Sequence, residues 1–161
     1  MRYEFLVDTY STERVKVLSV WSMFQDGDLA PAPRPGNPPP LHPSLAEDSA
    51  KRLDVLRARP DDWWEAEVAF FDVGRSRAWV MLRRIAHTAH HRGQQTTLLR
   101  MLNCELYSTY GPTADTGGLF QHRAPTVYAY PDEAALLSGE AAGGVKAALP
   151  GPGGAPITER P

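Results

Sequence analysis

The residues best suited to chemistry stand together in "HTAHHRGQ", His87 to Gln94. His87, His90 and His91 fall within five residues, followed by Arg92, Gly93 and Gln94. A neutral imidazole ligates divalent cations and also serves as a base near neutral pH. On a helix, residues three and four apart share a face, so His87 and His91 can converge on one cation. His90 points about a quarter turn away and is the weaker ligand, although the spacing of His87 and His90 is also workable. At about 100° per residue, Val80, His87, His91 and Leu98 form one stripe with Leu102 nearby, which aims the pair into a bundle. Two readings stay open: half of a metal site, or two core histidines that each need a hydrogen-bond partner. A catalytic zinc-type centre needs three protein ligands plus an open position. Gln94 lies close to the stripe and is placed to orient an imidazole or a bound water. Arg92 faces away from it and suits a structural salt bridge, with the acids of "DDWWE" as expected partners. Gly93 costs about 1 kcal/mol in a helix relative to Ala, which close helix–helix approach would explain.

Other reactive groups carry less. Asp61 and Asp62 are adjacent carboxylates, suited to acid–base work or to a solvated helix start. Cys104 is the only cysteine, so no disulfide within the chain can form. Its neighbours Asn103 and Glu105 bring no activating cation, and an inert thiol in a reducing cytoplasm is expected. The net charge of −2 argues against a general nucleic-acid binder. The arginines of "RSRAWVMLRR" spread around their helix and make no patch. No stretch reaches the roughly 18 apolar residues of a membrane span, and the N-terminal residues lack a signal-type apolar core.

The elements that must position these groups are mostly helical. Val7, Tyr10, Val17, Trp21 and Phe24 recur at three- and four-residue steps, which predicts a helix over about 3–24 with Arg14 at the break in its seam. "APAPRPGNPPPLHP" is half proline and excludes a helix or central strand. "SLAEDSAKRLDVLRA" opens with a capping box, Ser44 and Glu47, and carries an Ala46, Ala50, Leu53, Leu56 stripe that Pro60 ends. "DDWWEAEVAFFDVG" reads as a packed loop or short helix whose aromatics cover a large surface. The longest helix is expected over about 76–102. "PTVYAY" suits a short extended segment. From Gly143 onward, Gly, Pro and Ala dominate, which predicts disorder.

"RRIAHTAHHRGQQTTLLRML" resembles the late-helix H-x-x-x-H-R-G-Q signature of the DinB/YfiT-like superfamily. "YEFLVDTYSTERVKVLSVWSMF", "WWEAEVAFFDVGRSRAW" and "YSTYGPTADTGGL" look like one DinB subgroup, in the same order along the chain. The likeness covers residues 1–29 and 44–130. It implies a four-helix bundle that holds a divalent metal, often zinc or nickel, through three histidines. Two of these match His87 and His91. The third comes from the second bundle helix, which should lie between Leu29 and Ser44. The proline-rich stretch stands there instead, and its one histidine, His42, sits between Leu41 and Pro43. The chain is thus expected to have lost a bundle helix.

The fold implied is all-α: a DinB-like up-down bundle reduced to about three main helices. It would occupy residues 1–130, with a linker at 30–43 and a mostly disordered tail at 131–161. Some relatives are thiol S-transferases and others metal-dependent hydrolases, which implies a small thiol or another small molecule as substrate. The alternative is a catalytically degraded bundle that acts through a homodimer or another partner, because a missing wall exposes apolar seams. Neither nucleic acid nor membrane is an expected partner.

Overall fold

The computed structural model describes residues 2–24 and 43–153. The proline-rich stretch, His42 and the side chains of Pro43 and Ser44, hence the expected capping box, lie outside the described residues. The chain divides into two compact units, Met1–Val17 with Leu41–Gly93, and Leu18–Pro40 with Gln94–Pro161. Two helices contain the points of division: α1 (Glu4–Trp21) and α4 (Arg77–Met101).

The first unit is built around an aromatic and aliphatic core. α1 contributes Leu6 and Val7, α2 (Pro43–Arg57) contributes Leu53, and α4 contributes Met81 and Ile85. Trp64 of the short helix α3 (Asp61–Glu65) fills the centre at 1% exposure. Tyr3 stacks on Trp64 at 6.1 Å, and Trp63 meets it edge-on at 5.0 Å. Burial of so large a ring as Trp64 adds substantially to the hydrophobic driving force of the aliphatic side chains around it. Pro60 stops α2 and stands as the N-cap of α3, where its missing donor is no loss. Arg77 reaches back to the Trp63 carbonyl at 3.1 Å and lies over its ring at 4.7 Å, tying α4 to α3.

Between α3 and α4 the chain forms a hairpin that corrects the all-α expectation. β1 (Glu67–Phe70) pairs antiparallel with β2 (Val73–Ser76), from Glu67 opposite Ser76 to Phe70 opposite Val73. Val68 and Phe70 are half-buried while Glu67 and Ala69 face water, the alternation of a one-sided strand. Phe71 and Asp72 make the two-residue loop. Phe71 sits at φ 56°, the left-handed first position that hairpin turns use, yet without the usual glycine. The described residues are therefore mostly helical with one small sheet. At the base of the hairpin the Ser76 hydroxyl accepts the Trp79 N–H at 3.2 Å and so starts α4.

The second unit begins its new structure where α4 ends. Asn103 adopts φ 58°, the Asn103 N–H donates to the Arg100 carbonyl, and the Cys104 N–H donates to the Leu99 carbonyl. This is a Schellman cap, with asparagine in the left-handed position that glycine usually holds. Arg100 then clamps both oxygens of Asp115 at 2.7 and 2.6 Å. Asp115 also accepts the Leu106 N–H through its side chain and the Gly151 N–H through its carbonyl. "PTVYAY" forms no regular strand; it meets the chain through the Ser108 N–H to the Val127 carbonyl at 2.8 Å, with the Ser108 hydroxyl accepting the Val127 N–H.

Residues 131–153, expected as disordered tail, instead carry α5 (Glu133–Ala141), capped by the Asp132 carboxylate on the Ala135 N–H. The Gly- and Ala-rich strand of chain after it is held by side chains that composition does not reveal. The Tyr107 hydroxyl donates to the Ala147 carbonyl, and Lys146 pairs with Glu140 at 3.0 Å while lying over the Tyr130 ring. Gly139 is needed there: a Cβ would stand 2.5 Å from the Tyr130 ring.

Candidate functional site

α4 presents two faces in its first-unit turns. Met81, Ile85 and Arg92 are buried, and they fall within about 40° of one another on the helix. His87, His90 and His91 are exposed. The stripe expected to enter a bundle is thus corrected: the histidines lie about 100–160° around the helix from the core face. Leu98, expected on the inward stripe, is 50% exposed, whereas Leu99 is fully buried.

The cause is Arg92, which is 2% exposed. Its guanidinium pairs with the Glu13 carboxylate of α1 and reaches the Glu13 carbonyl, and Lys16 holds the other carboxylate oxygen at 3.0 Å. The expected partner within "DDWWE" is corrected to Glu13. Such a pair fixes the rotation of α4 and leaves His91, the adjacent residue, facing outward. Glu13 and Arg14 are themselves buried, so the inner face of α1 is more polar than its hydrophobic spacing suggests.

On the exposed face the pair at i and i+4 does converge. Nε2 of His91 stands 2.9 Å from Nε2 of His87, with the rings nearly perpendicular and their centres 4.4 Å apart. At that distance at least one ring is neutral and its lone pair accepts the other's N–H. The His87 imidazole is held below its ordinary value of 6.5, first by desolvation against its neighbours, then by the positive charge of His91, Arg83 and His90. A group kept neutral near pH 7 is ready to ligate without first losing a proton.

Two nitrogens about 2.0–2.1 Å from one tetrahedral zinc ion stand about 3.3–3.4 Å apart, so the pair, now at 2.9 Å, would open by a few tenths of an ångström to share the ion. His90 is further off, its ring 5.4 Å from His91 and 6.5 Å from His87. Among the described residues, no group of three His, Cys, Asp or Glu side chains is placed to hold a metal. The donors present therefore fit two positions of a metal site and supply no third. Gln94, three residues on, is exposed. Among the described residues, nothing lies within 4 Å of where a Cβ on Gly93 would stand.

The remaining candidates serve the backbone. Asp61 accepts the Arg2 N–H at 2.9 Å, and Asp62 accepts the Trp63 N–H at 2.8 Å, the solvated helix start rather than an acid–base pair. Cys104 is partly buried and shares a polar cavity of about 700 Å³ with Tyr107, Glu140 and Lys146. Lys146 is the kind of cation its sequence neighbours lack, and a separation of 42 positions hides it from a linear reading. Compared with known proteins, the chain matches no family model, no curated protein and no solved structure.

Proposed function

We propose that the chain is a DinB-like divalent-metal-binding protein in which His87 and His91 are two of the metal's protein ligands. The observation that carries this reading is the convergence of two outward-facing imidazoles to 2.9 Å on one helix face. Zinc or nickel suits a nitrogen donor set of this kind. The third ligand is His42, a carboxylate outside the described residues, or a side chain of a second copy. When bound, the metal supplies a Lewis acid that activates water or a small thiol for hydrolysis or S-transfer. The chain's own residues set the face: Arg92 and Glu13 lock the helix, and His87 and His91 bind.

Metal content of the purified full chain tests this. Near-stoichiometric zinc or nickel, lost in the His87→Ala/His91→Ala double variant, supports it. Trace metal that the double variant leaves unchanged sinks it.

The second reading is a degraded bundle that acts by association. It is favoured by the hairpin, where Phe71 is 88% exposed beside Phe70 and Trp79, rings at 4.8 and 5.2 Å from Phe70. Sedimentation tests its self-association: a well-folded, metal-free chain that stays monomeric at high concentration counts against that part.

A further inference from the structure

The first unit carries a second concave site, which adjoins the histidine face through Arg84, one turn before His87 on α4. It is a groove of about 330 Å³ among α1, α2 and α4. Its floor is apolar, made by Tyr10, Val55, Leu56 and the buried Met81. Its rim is cationic throughout: Lys51, Arg52 and Arg84. Helical spacing explains the arrangement. Lys51 is one turn before Val55, Arg52 one turn before Leu56, and Arg84 one turn after Met81. Each charge therefore shares a helix face with an apolar lining residue.

None of these three cations forms an ion pair among the described residues. Glu47 and Asp48 precede Lys51 and Arg52 by one turn, the spacing at which helical pairs form, and still no bridge closes. Other cations of the same unit do find carboxylates, as Arg2, Lys16, Arg57 and Arg92 show. An apolar floor under three unpaired positive heads selects a ligand with an apolar body and an anionic end.

We propose that this groove binds a free single-chain fatty carboxylate, the acyl chain over Leu56 and Met81 and the carboxylate among Lys51, Arg52 and Arg84. The size favours this occupant over a peptide. The volume is at the lower end of small-molecule sites, about 300–1,000 Å³. The α2 wall runs only from Lys51 to Leu56, under two turns, whereas a docked helix needs anchors over about two turns or more. The site does not depend on the histidine pair.

Calorimetric titration of the full chain with decanoate, in EDTA at fixed ionic strength, tests it. Decyltrimethylammonium and an acidic amphipathic peptide serve as comparison ligands. Saturable one-to-one binding of decanoate is expected, with little uptake of the cationic amphiphile. The Lys51→Gln/Arg84→Gln variant should weaken binding about tenfold or more, as lost charge-assisted bonds would. Leu56→Trp, which fills the groove, should weaken it too, with circular dichroism confirming that both variants fold. Equal binding of both amphiphiles, decanoate binding untouched by either variant, or preference for the peptide would each overturn the proposal. Because EDTA is present throughout, failure here leaves the metal reading standing, and loss of metal binding leaves this one standing.

Discussion

Tyr107 and Tyr130 hold their phenolic protons more firmly than free tyrosine does. Burial comes first for both; the charge of Glu105 adds to it for Tyr107, and the hydrogen bond and charge of Glu140 add to it for Tyr130. Both groups are raised in the fold above the ordinary value of 10.0, so the unfolded chain releases these protons first. Their contribution to stability is thus complete below pH 10 and lost as pH rises beyond it. Ultraviolet difference titration should show two tyrosines ionising late, and the urea midpoint should fall above pH 10. Tyr130→Phe should flatten that fall; a profile identical to the unsubstituted chain would contradict the assignment. Among the candidate-site residues, the histidine spacing was legible because i, i+4 geometry follows from the helix alone. The direction of the pair was not. A hydropathy stripe counts Val80 and Leu98 as inward, and no such count places an arginine in the core.

At the scale of elements, α1, α2 and α4 are found within three residues of the bounds that periodicity predicts. Amphipathic spacing over four or more turns makes such helices readable. The hairpin was not readable. Each strand has only four residues, and the loop lacks the Asn-Gly or Asp-Gly that marks such turns. Phe71 at φ 56° can therefore be tested by backbone preference. Phe71→Gly should leave the melting free energy within about 1 kcal/mol of the unsubstituted chain or above it. Phe71→Val, β-branched and disfavoured there, should lower it by about 1 kcal/mol or more. The buried ion pair gives a larger signal. Arg92→Met should cost about 3 kcal/mol in chemical denaturation, because it takes the buried cation from Glu13 and leaves Lys16 beside it, and Glu13→Leu with Arg92→Met should recover part of that loss. An additive double variant would show that the two side chains do not act together.

Across the whole molecule, composition misjudged residues 131–153. Gly, Pro and Ala suggested disorder, but the ordering comes from Asp115, Tyr107, Tyr130 and Lys146, whose partners lie up to 40 positions away in the chain. Pairings of that range leave no periodic trace. Asp115 is the junction of that network, joining Arg100, Leu106 and Gly151. Asp115→Ala should cost at least about 2 kcal/mol, the scale of hydrogen bonds to a charged group. In hydrogen exchange, amides of 104–153 should lose protection while those of α2 keep theirs; uniform loss over the chain would mean that the two units unfold as one.

Glu13 and Arg92 are 79 positions apart in sequence. Lys16 can reach Glu13 within α1, but Arg92 cannot until α1 and α4 have met, so the long-range pairing comes after a long loop has closed. An apolar contact tolerates sliding, since one leucine replaces another with little change. Two opposite charges do not: a helix slipped by one turn buries each without its counterpart. The pair thus works as a proofreading mark during folding, rejecting near-miss alignments that the aliphatic core alone would accept.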